Sequence, residues 1–160
     1  MEEKIFQNEY TMNINFIKEY VYHVLCKKMI FIGYIIFILG IILFFTMENQ
    51  LSYVMITAGF VVGICALFTP IITVKQIEEN SKRLNNGKIE KTYINFSDNV
   101  IMDEGKVHLE FEYNQIKQIL ETKNFIVLKT SEQSAILVFK EGFTIGKAED
   151  FITFIKNKIE

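Results

Sequence analysis

The hydrophobic and polar positions of this chain fall into three patterns, and each predicts a different kind of element. The first 28 residues are mixed. "EKIFQNEYT" has the alternation of a short strand, and "INFIKEYVYHVLCKK" spaces Ile14, Ile17, Val21 and Val24 by three and four, with Lys18 and Glu19 opposite. That spacing predicts an amphipathic helix running into the first apolar stretch. Met29 to Met47 is then an uncharged run of 19 residues, and Asn49 to Val74 is a second of 26. A bilayer core needs about 20 apolar residues in a helix, so each run is long enough to cross once. The first run holds 13 Ile, Leu or Phe residues, which favour the membrane by roughly 6 kcal/mol on an insertion scale. Neither run keeps a polar face at helical period, which argues against two buried helices of a soluble core.

After Val74 the pattern changes again. "KQIEENSKRLNNGK" continues as a polar helix and is predicted to stop at Asn85-Asn86-Gly87. From there the period drops to two. "KIEKTYINF" alternates, "VIMD" comes after a turn, and "DEGK" turns into "VHLEFEY". In that segment Val107, Leu109, Phe111 and Tyr113 form one row, with His108, Glu110 and Glu112 facing the other way. "IKQILETK", "NFIVLKT" and "SAILVFK" are further short strands. "GKAEDFITFIKNKIE" closes the chain as a helix with Glu149 and Asp150 in its first turn and Lys156 and Lys158 in its last, which suits the helix dipole. Its apolar stripe is Phe151, Phe154, Ile155 and Ile159, expected to cover Leu109, Phe111 and Phe125. The expected fold class is therefore α+β: a two-helix transmembrane hairpin followed by an antiparallel sheet of about six strands capped by a C-terminal helix. The expected divisions are an N-terminal strand and amphipathic helix (1–28), the hairpin (29–74, spans about 29–47 and 51–74) and a C-terminal domain (75–160).

Composition agrees with a membrane anchor. The chain has 160 residues, of which 50% are hydrophobic and 22% charged. A cleavable signal peptide fits poorly, because the apolar run starts after 28 residues and the leading segment carries Glu2, Glu3 and Glu9. Lys27 and Lys28 precede the first run, Lys75, Lys82 and Arg83 come after the second, and the connection "MENQLS" has neither Lys nor Arg. The positive-inside rule then places both termini in the cytoplasm of a multi-pass protein in the cell membrane.

Small residues suggest how the spans pack. Gly59 and Gly63 lie four apart with Ala66 on the same face, and Gly33 and Gly40 lie seven apart on the first span. Such stripes let backbones approach in lipid. They serve either a contact within the hairpin or a self-association face through Gly59 and Gly63. Pro70 predicts a tolerated kink. Neither span contains a charged residue or a histidine, which argues against an ion-coupled carrier.

Candidate chemistry is sparse. Cys26 and Cys65 have no metal-ligand spacing, and a disulfide framework is not expected. His23 stands among aromatics without a carboxylate. His108, Glu110 and Glu112 are the best polar constellation, yet alternate strand positions lie about 6.6 to 6.8 Å apart and cannot converge on one ion. Ser131 and Ser134 share a turn with no nearby His. No nucleophile elbow, phosphate-binding loop, zinc-protease or dinucleotide motif occurs, so no catalytic, metal or cofactor-binding residue is assigned and no cofactor is expected. Residues 75–160 carry 13 basic and 14 acidic side chains, which disfavours nucleic acid and a polybasic lipid reader.

The order of a polar helix ending in Tyr22-His23, a two-span hairpin and a strand-rich domain closing in "NFIVLKTSEQSAILVFKEGFTIGKAEDFITFIKNKI" resembles the YcxB-like family of bacterial membrane proteins. The matching features are Phe125 to Leu128, Ala135 to Lys140, Phe143 and Glu149-Asp150 to Phe154. Gly142 departs from that pattern, where a larger residue is common. The resemblance implies a pleckstrin-homology-like (PH-like) C-terminal domain at a membrane and carries no catalytic residues. The expected function is a non-enzymatic interaction or regulatory protein whose partners are the bilayer and another membrane protein. A small accessory subunit of a transporter complex, or an immunity or stress-protection protein, is the alternative.

Overall fold

The structure, a computed structural model of the chain, describes residues 5–46, 50–132 and 134–159. The expected hairpin connection at 47–49, the end of the first run at Met47 and the leading Glu2 and Glu3 lie outside the described residues. The chain divides into two compact units, Met1–Glu19 with Glu78–Glu160 and Tyr20–Ile77.

The first unit is α+β with antiparallel sheets and a C-terminal helix. Its strands are β1 (Phe6–Thr11), β2 (Lys91–Phe96), β3 (Val100–Glu104), β4 (Val107–Phe111), β5 (Gln118–Glu121), β6 (Phe125–Lys129), β7 (Ala135–Phe139) and β8 (Phe143–Ile145). They form two sheets, ordered β4-β3-β2-β1-β8 and β5-β6-β7. Among the described residues the expectation of one curved sheet of about six strands is thus corrected to eight strands in two sheets. The second sheet is separate because, among those residues, β5, β6 and β7 pair with one another alone, and β6 is buried along both faces at Phe125, Ile126, Val127 and Leu128. A strand covered on both sides reads as a continuous apolar run rather than an alternation.

The amino-terminal strand lies inside the larger sheet. β1 pairs with β2 from Phe6 opposite Phe96 to Thr11 opposite Lys91, and with β8 on its other side. Its inward residues Phe6, Asn8 and Tyr10 are buried. Gly142 belongs to this contact. The Glu9 amide donates to the Gly142 carbonyl at 2.8 Å, and a Cβ at Gly142 would sit 2.6 Å from the Glu9 carbonyl oxygen. The close passage of β1 therefore accounts for the absence of a side chain there.

Between β1 and β2 the chain runs through helix α1 (Ile14–Tyr20), a π-helical turn at Val21–Leu25, and helices α2 (Lys27–Thr46) and α3 (Gln50–Leu84). Asn13 caps α1, its Oδ1 accepting the Asn15 and Phe16 amides at 2.9 and 3.0 Å. The expected amphipathic helix is therefore broken rather than continuous. Ile17 and Val21 are buried, whereas Ile14 is exposed, and the segments on either side of Cys26 are bent by 62°. α3 stops where its sequence says it should. Asn86 has φ 54°, and the Gly87 amide reaches back to the Lys82 carbonyl at 2.6 Å, the closure of a Schellman C-cap.

Helix α4 (Ala148–Ile159) buries Phe151 and Ile155 completely. Phe151 packs against Phe96 at 4.6 Å between ring centroids, Phe143 at 5.3 Å and Phe6 at 5.4 Å. Phe154 is only half-buried, against Phe6 and Tyr113. Of the three sheet residues expected beneath this helix, Phe125 is buried, Phe111 is half-buried, and Leu109 is 40% exposed. Leu109 stands on β4, the edge strand at the far end of the sheet from β8, while the rings that hold Phe151 come from β1, β2 and β8.

Candidate functional site

In the second unit, α2 and α3 meet through their small residues. A Cβ on Gly59 would lie 3.5 Å from the Gly40 Cα and from the Ile36 carbonyl oxygen, and one on Gly63 would lie 3.1 Å from the Phe37 ring. A Cβ on Gly33 would run into the Cβ of Ala66. Gly59 and Gly63 thus face α2 of their own chain.

Away from this seam the helices present apolar side chains outward. Phe31, Phe45, Tyr53, Val54, Phe60, Leu67 and Phe68 are all more than half exposed. Among the described residues one helix is long and apolar enough to cross a membrane by itself, Tyr53–Leu84. Its apolar stretch is mostly exposed. The segments Ile14–Leu25 and Lys27–Leu43 are long and apolar enough only when taken together across their bend. Pro70 lies inside α3. Thr69 and Thr73 beside it turn their hydroxyls onto the carbonyls of Cys65 and Thr69, at 2.7 and 2.9 Å, which satisfies these groups within the helix. An apolar groove of about 180 Å³ lies along the seam, lined by Gly33, Tyr34, Phe37, Phe60, Gly63 and Ala66 among others.

The polar row on β4 does not converge. His108 Nδ1 lies 2.5 Å from Asp103 Oδ1 across the β3–β4 ladder, Glu110 accepts from Asn99 Nδ2 at 2.7 Å, and Glu112 accepts from Asn114 Nδ2 at 2.8 Å. Each member is engaged by its own neighbour. Among the described residues no group of three His, Cys, Asp or Glu side chains could hold a metal ion. Ser131 and Ser134 close a turn, the Ser131 hydroxyl accepting the Ser134 amide at 3.0 Å. His23 is exposed on the π-helical turn, Cys26 is buried at the bend and Cys65 is exposed on α3.

Four buried or part-buried polar contacts escaped the sequence analysis, and all are structural in character. The Glu104 carboxylate accepts from Ser81 Oγ at 3.1 Å, Thr92 Oγ1 at 3.2 Å and Asn85 Nδ2 at 3.4 Å. This ties the end of α3 to the sheet. Burial first, and then the Glu104 charge, push the ionisation of the nearby Tyr10 hydroxyl well above its usual range, against a lowering hydrogen bond from Thr92. Burial likewise raises Tyr113 to about 12, and its hydroxyl donates to the Ser97 carbonyl at 2.9 Å. Asn8, fully buried, donates to the Phe139 carbonyl at 2.7 Å and accepts the Phe139 amide at 3.1 Å. Glu19 accepts the amide and the side chain of Asn124. Only a residue type out of place, such as Asn8 on the inward row of an alternating strand, could have flagged these contacts.

These elements define the chain first as an α+β protein whose antiparallel sheets carry a C-terminal helix and whose β1–β2 connection holds the long helices α2 and α3, the second long and apolar enough to cross a membrane. Residues 96–155 match the family model described as YcxB-like protein, so the resemblance to the YcxB-like family is borne out over β3 to β8 and most of α4. No match was found among curated proteins or among solved structures.

Proposed function

We propose that this chain is a two-pass membrane protein, with both termini in the cytoplasm, that presents a PH-like domain as a non-enzymatic interaction or regulatory module for another membrane protein. The observation that carries the reading is the pairing of β1 with β2 across the two apolar helices. Strands of one sheet must lie on one side of a bilayer, so whatever separates them crosses an even number of times or not at all. Two helices with outward apolar faces supply two crossings. Basic residues at both ends of the pair and none in the connection favour the cytoplasm for the folded unit.

The strand orders β4-β3-β2-β1 and β5-β6-β7 with a closing helix favour the PH-like comparison, with β8 as an addition. Near-neutral charge and, among the described residues, the dispersal of the polar row on β4 to separate partners favour protein contact over catalysis or anion capture.

Cysteine accessibility in intact cells tests the topology. In a chain carrying Cys26→Ser and Cys65→Ser, Asn49→Cys is expected to react with an impermeant thiol reagent. Lys123→Cys, on an exposed turn of the folded unit, is expected to react only after permeabilisation. The reverse pattern overturns the orientation, and labelling of both positions in intact cells overturns the membrane reading.

A further inference from the structure

Beyond that reading, we propose that the open edge of β4 pairs antiparallel with β4 of a second copy of this chain, joining the two larger sheets about a two-fold axis through Leu109. The argument begins with the ladder. β3 and β4 are joined by the two-residue loop Gly105-Lys106, with Glu104 opposite Val107, Met102 opposite Leu109 and Val100 opposite Phe111. A two-residue loop makes its flanking residues a hydrogen-bonded pair, and such pairs alternate along an antiparallel ladder. Val107, Leu109 and Phe111 therefore spend their amides and carbonyls on β3, and those of His108 and Glu110 point to the open edge. Among the described residues no further strand pairs with β4.

Natural edges are commonly blunted by lysine, proline, a bulge or very short length. The edge of β7 is closed at Phe139 by the Asn8 side chain, and β8 has three residues. β4 has five residues in regular register, without lysine, proline or bulge. Its sequence is instead complementary to itself when reversed. In "KVHLEFE", a two-fold at Leu109 sets His108 opposite Glu110 of the second copy, Val107 opposite Phe111, and Lys106 opposite Glu112. Lysine faces glutamate, histidine faces glutamate, a β-branched residue faces an aromatic one, and no like charges stand directly opposite.

The hydrogen-bond phase agrees independently. Among the described residues of β4, His108 and Glu110 are the ones whose backbone groups point away from β3, and this register pairs one with the other, so each pair exchanges two hydrogen bonds. The side chains also suit the geometry. Leu109 shares the inward face with the buried Ile94 through Met102, yet is 40% exposed. The second copy's Leu109 would extend that face across the junction.

The test uses the full chain in its native membranes, with Cys26→Ser and Cys65→Ser. In the proposed register the two Leu109 residues form a non-hydrogen-bonded pair with Cα atoms about 4.5 Å apart, within disulfide range. Leu109→Cys is expected to give a disulfide-linked homodimer on mild oxidation. Val107→Cys should not, because the two copies of that residue would stand about 13 Å apart. It should crosslink to Phe111→Cys when the two variants are co-expressed. His108→Glu, which faces Glu110 of the second copy, should weaken association about tenfold through its two repulsive pairs. Adding Glu110→Lys should restore it. The proposal is overturned if Leu109→Cys crosslinks no faster than the exposed Lys123→Cys, if Val107→Cys crosslinks as readily, if the crosslinked species has a mass other than twice that of the chain, or if the charge exchange leaves association unchanged.

Discussion

Individual side chains show how unevenly stability is distributed in the folded unit. Phe151 is enclosed by Phe6, Phe96 and Phe143, whereas Phe154, on the same stripe, keeps one side open. Phe151→Ala is expected to cost about 3 to 5 kcal/mol, as for an emptied core position. Phe154→Ala should cost clearly less, and the exposed Lys156→Ala under about 0.5 kcal/mol. Thermal melting of the three variants of the full chain checks the order. Equal melting of the two phenylalanine variants would refute this placement of α4.

Asn8 makes a different kind of contribution. Its amide serves the Phe139 amide and carbonyl from one side chain, in place of a neighbouring strand. Asn8→Ala leaves both groups unpaired, at about 1 to 3 kcal/mol each. Asn8→Asp keeps only the acceptor and should also destabilise. Melting that is insensitive to both changes would show the bridge to be dispensable.

Among the elements, the pair α2 and α3 depends on contact between small residues. The backbones approach at Gly40 and Gly59 because neither carries a side chain, and in the membrane setting proposed above such close packing, rather than expulsion of water, would hold the pair together. Replacing Gly59 and Gly63 together by isoleucine should push α3 off Ile36 and Phe37. The expected result is a lower melting temperature with no change in the number of copies associated. Loss of association on crosslinking, with melting unaltered, would instead assign these glycines to a contact between chains.

The folded unit as a whole is assembled from both ends of the chain. β1 is not an appendage, since it pairs on both sides and contributes Phe6 and Tyr10 to the core. α1 adds Phe16 against Phe125 at 5.0 Å and Glu19 at the Asn124 turn. Residues 75–160 produced alone would therefore lack an interior strand of the larger sheet and expose a long edge. Such a fragment is expected to give no cooperative melt, and joining residues 5–19 to it through a flexible linker should restore one. A fragment that melts cooperatively without that addition would show β1 to be optional.

The sequence by itself determined what depends on local pattern. The two apolar runs, the stop of α3 at Asn85-Asn86-Gly87, the alternation of β2 and the acidic-first, basic-last polarity of α4 all arise from neighbours within a few turns of chain. The closing strands also carried enough side-chain pattern to point to the YcxB-like family. Only tertiary structure decided that β1 sits between β2 and β8, that the strands divide into two sheets, and that Gly59 looks toward Gly40. It likewise decided that Leu109 is left at an edge and that the row His108, Glu110 and Glu112 disperses to separate partners. These outcomes pair positions far apart in sequence. An alternating pattern says which residues share a face, but it holds no record of which strand lies alongside or what covers that face.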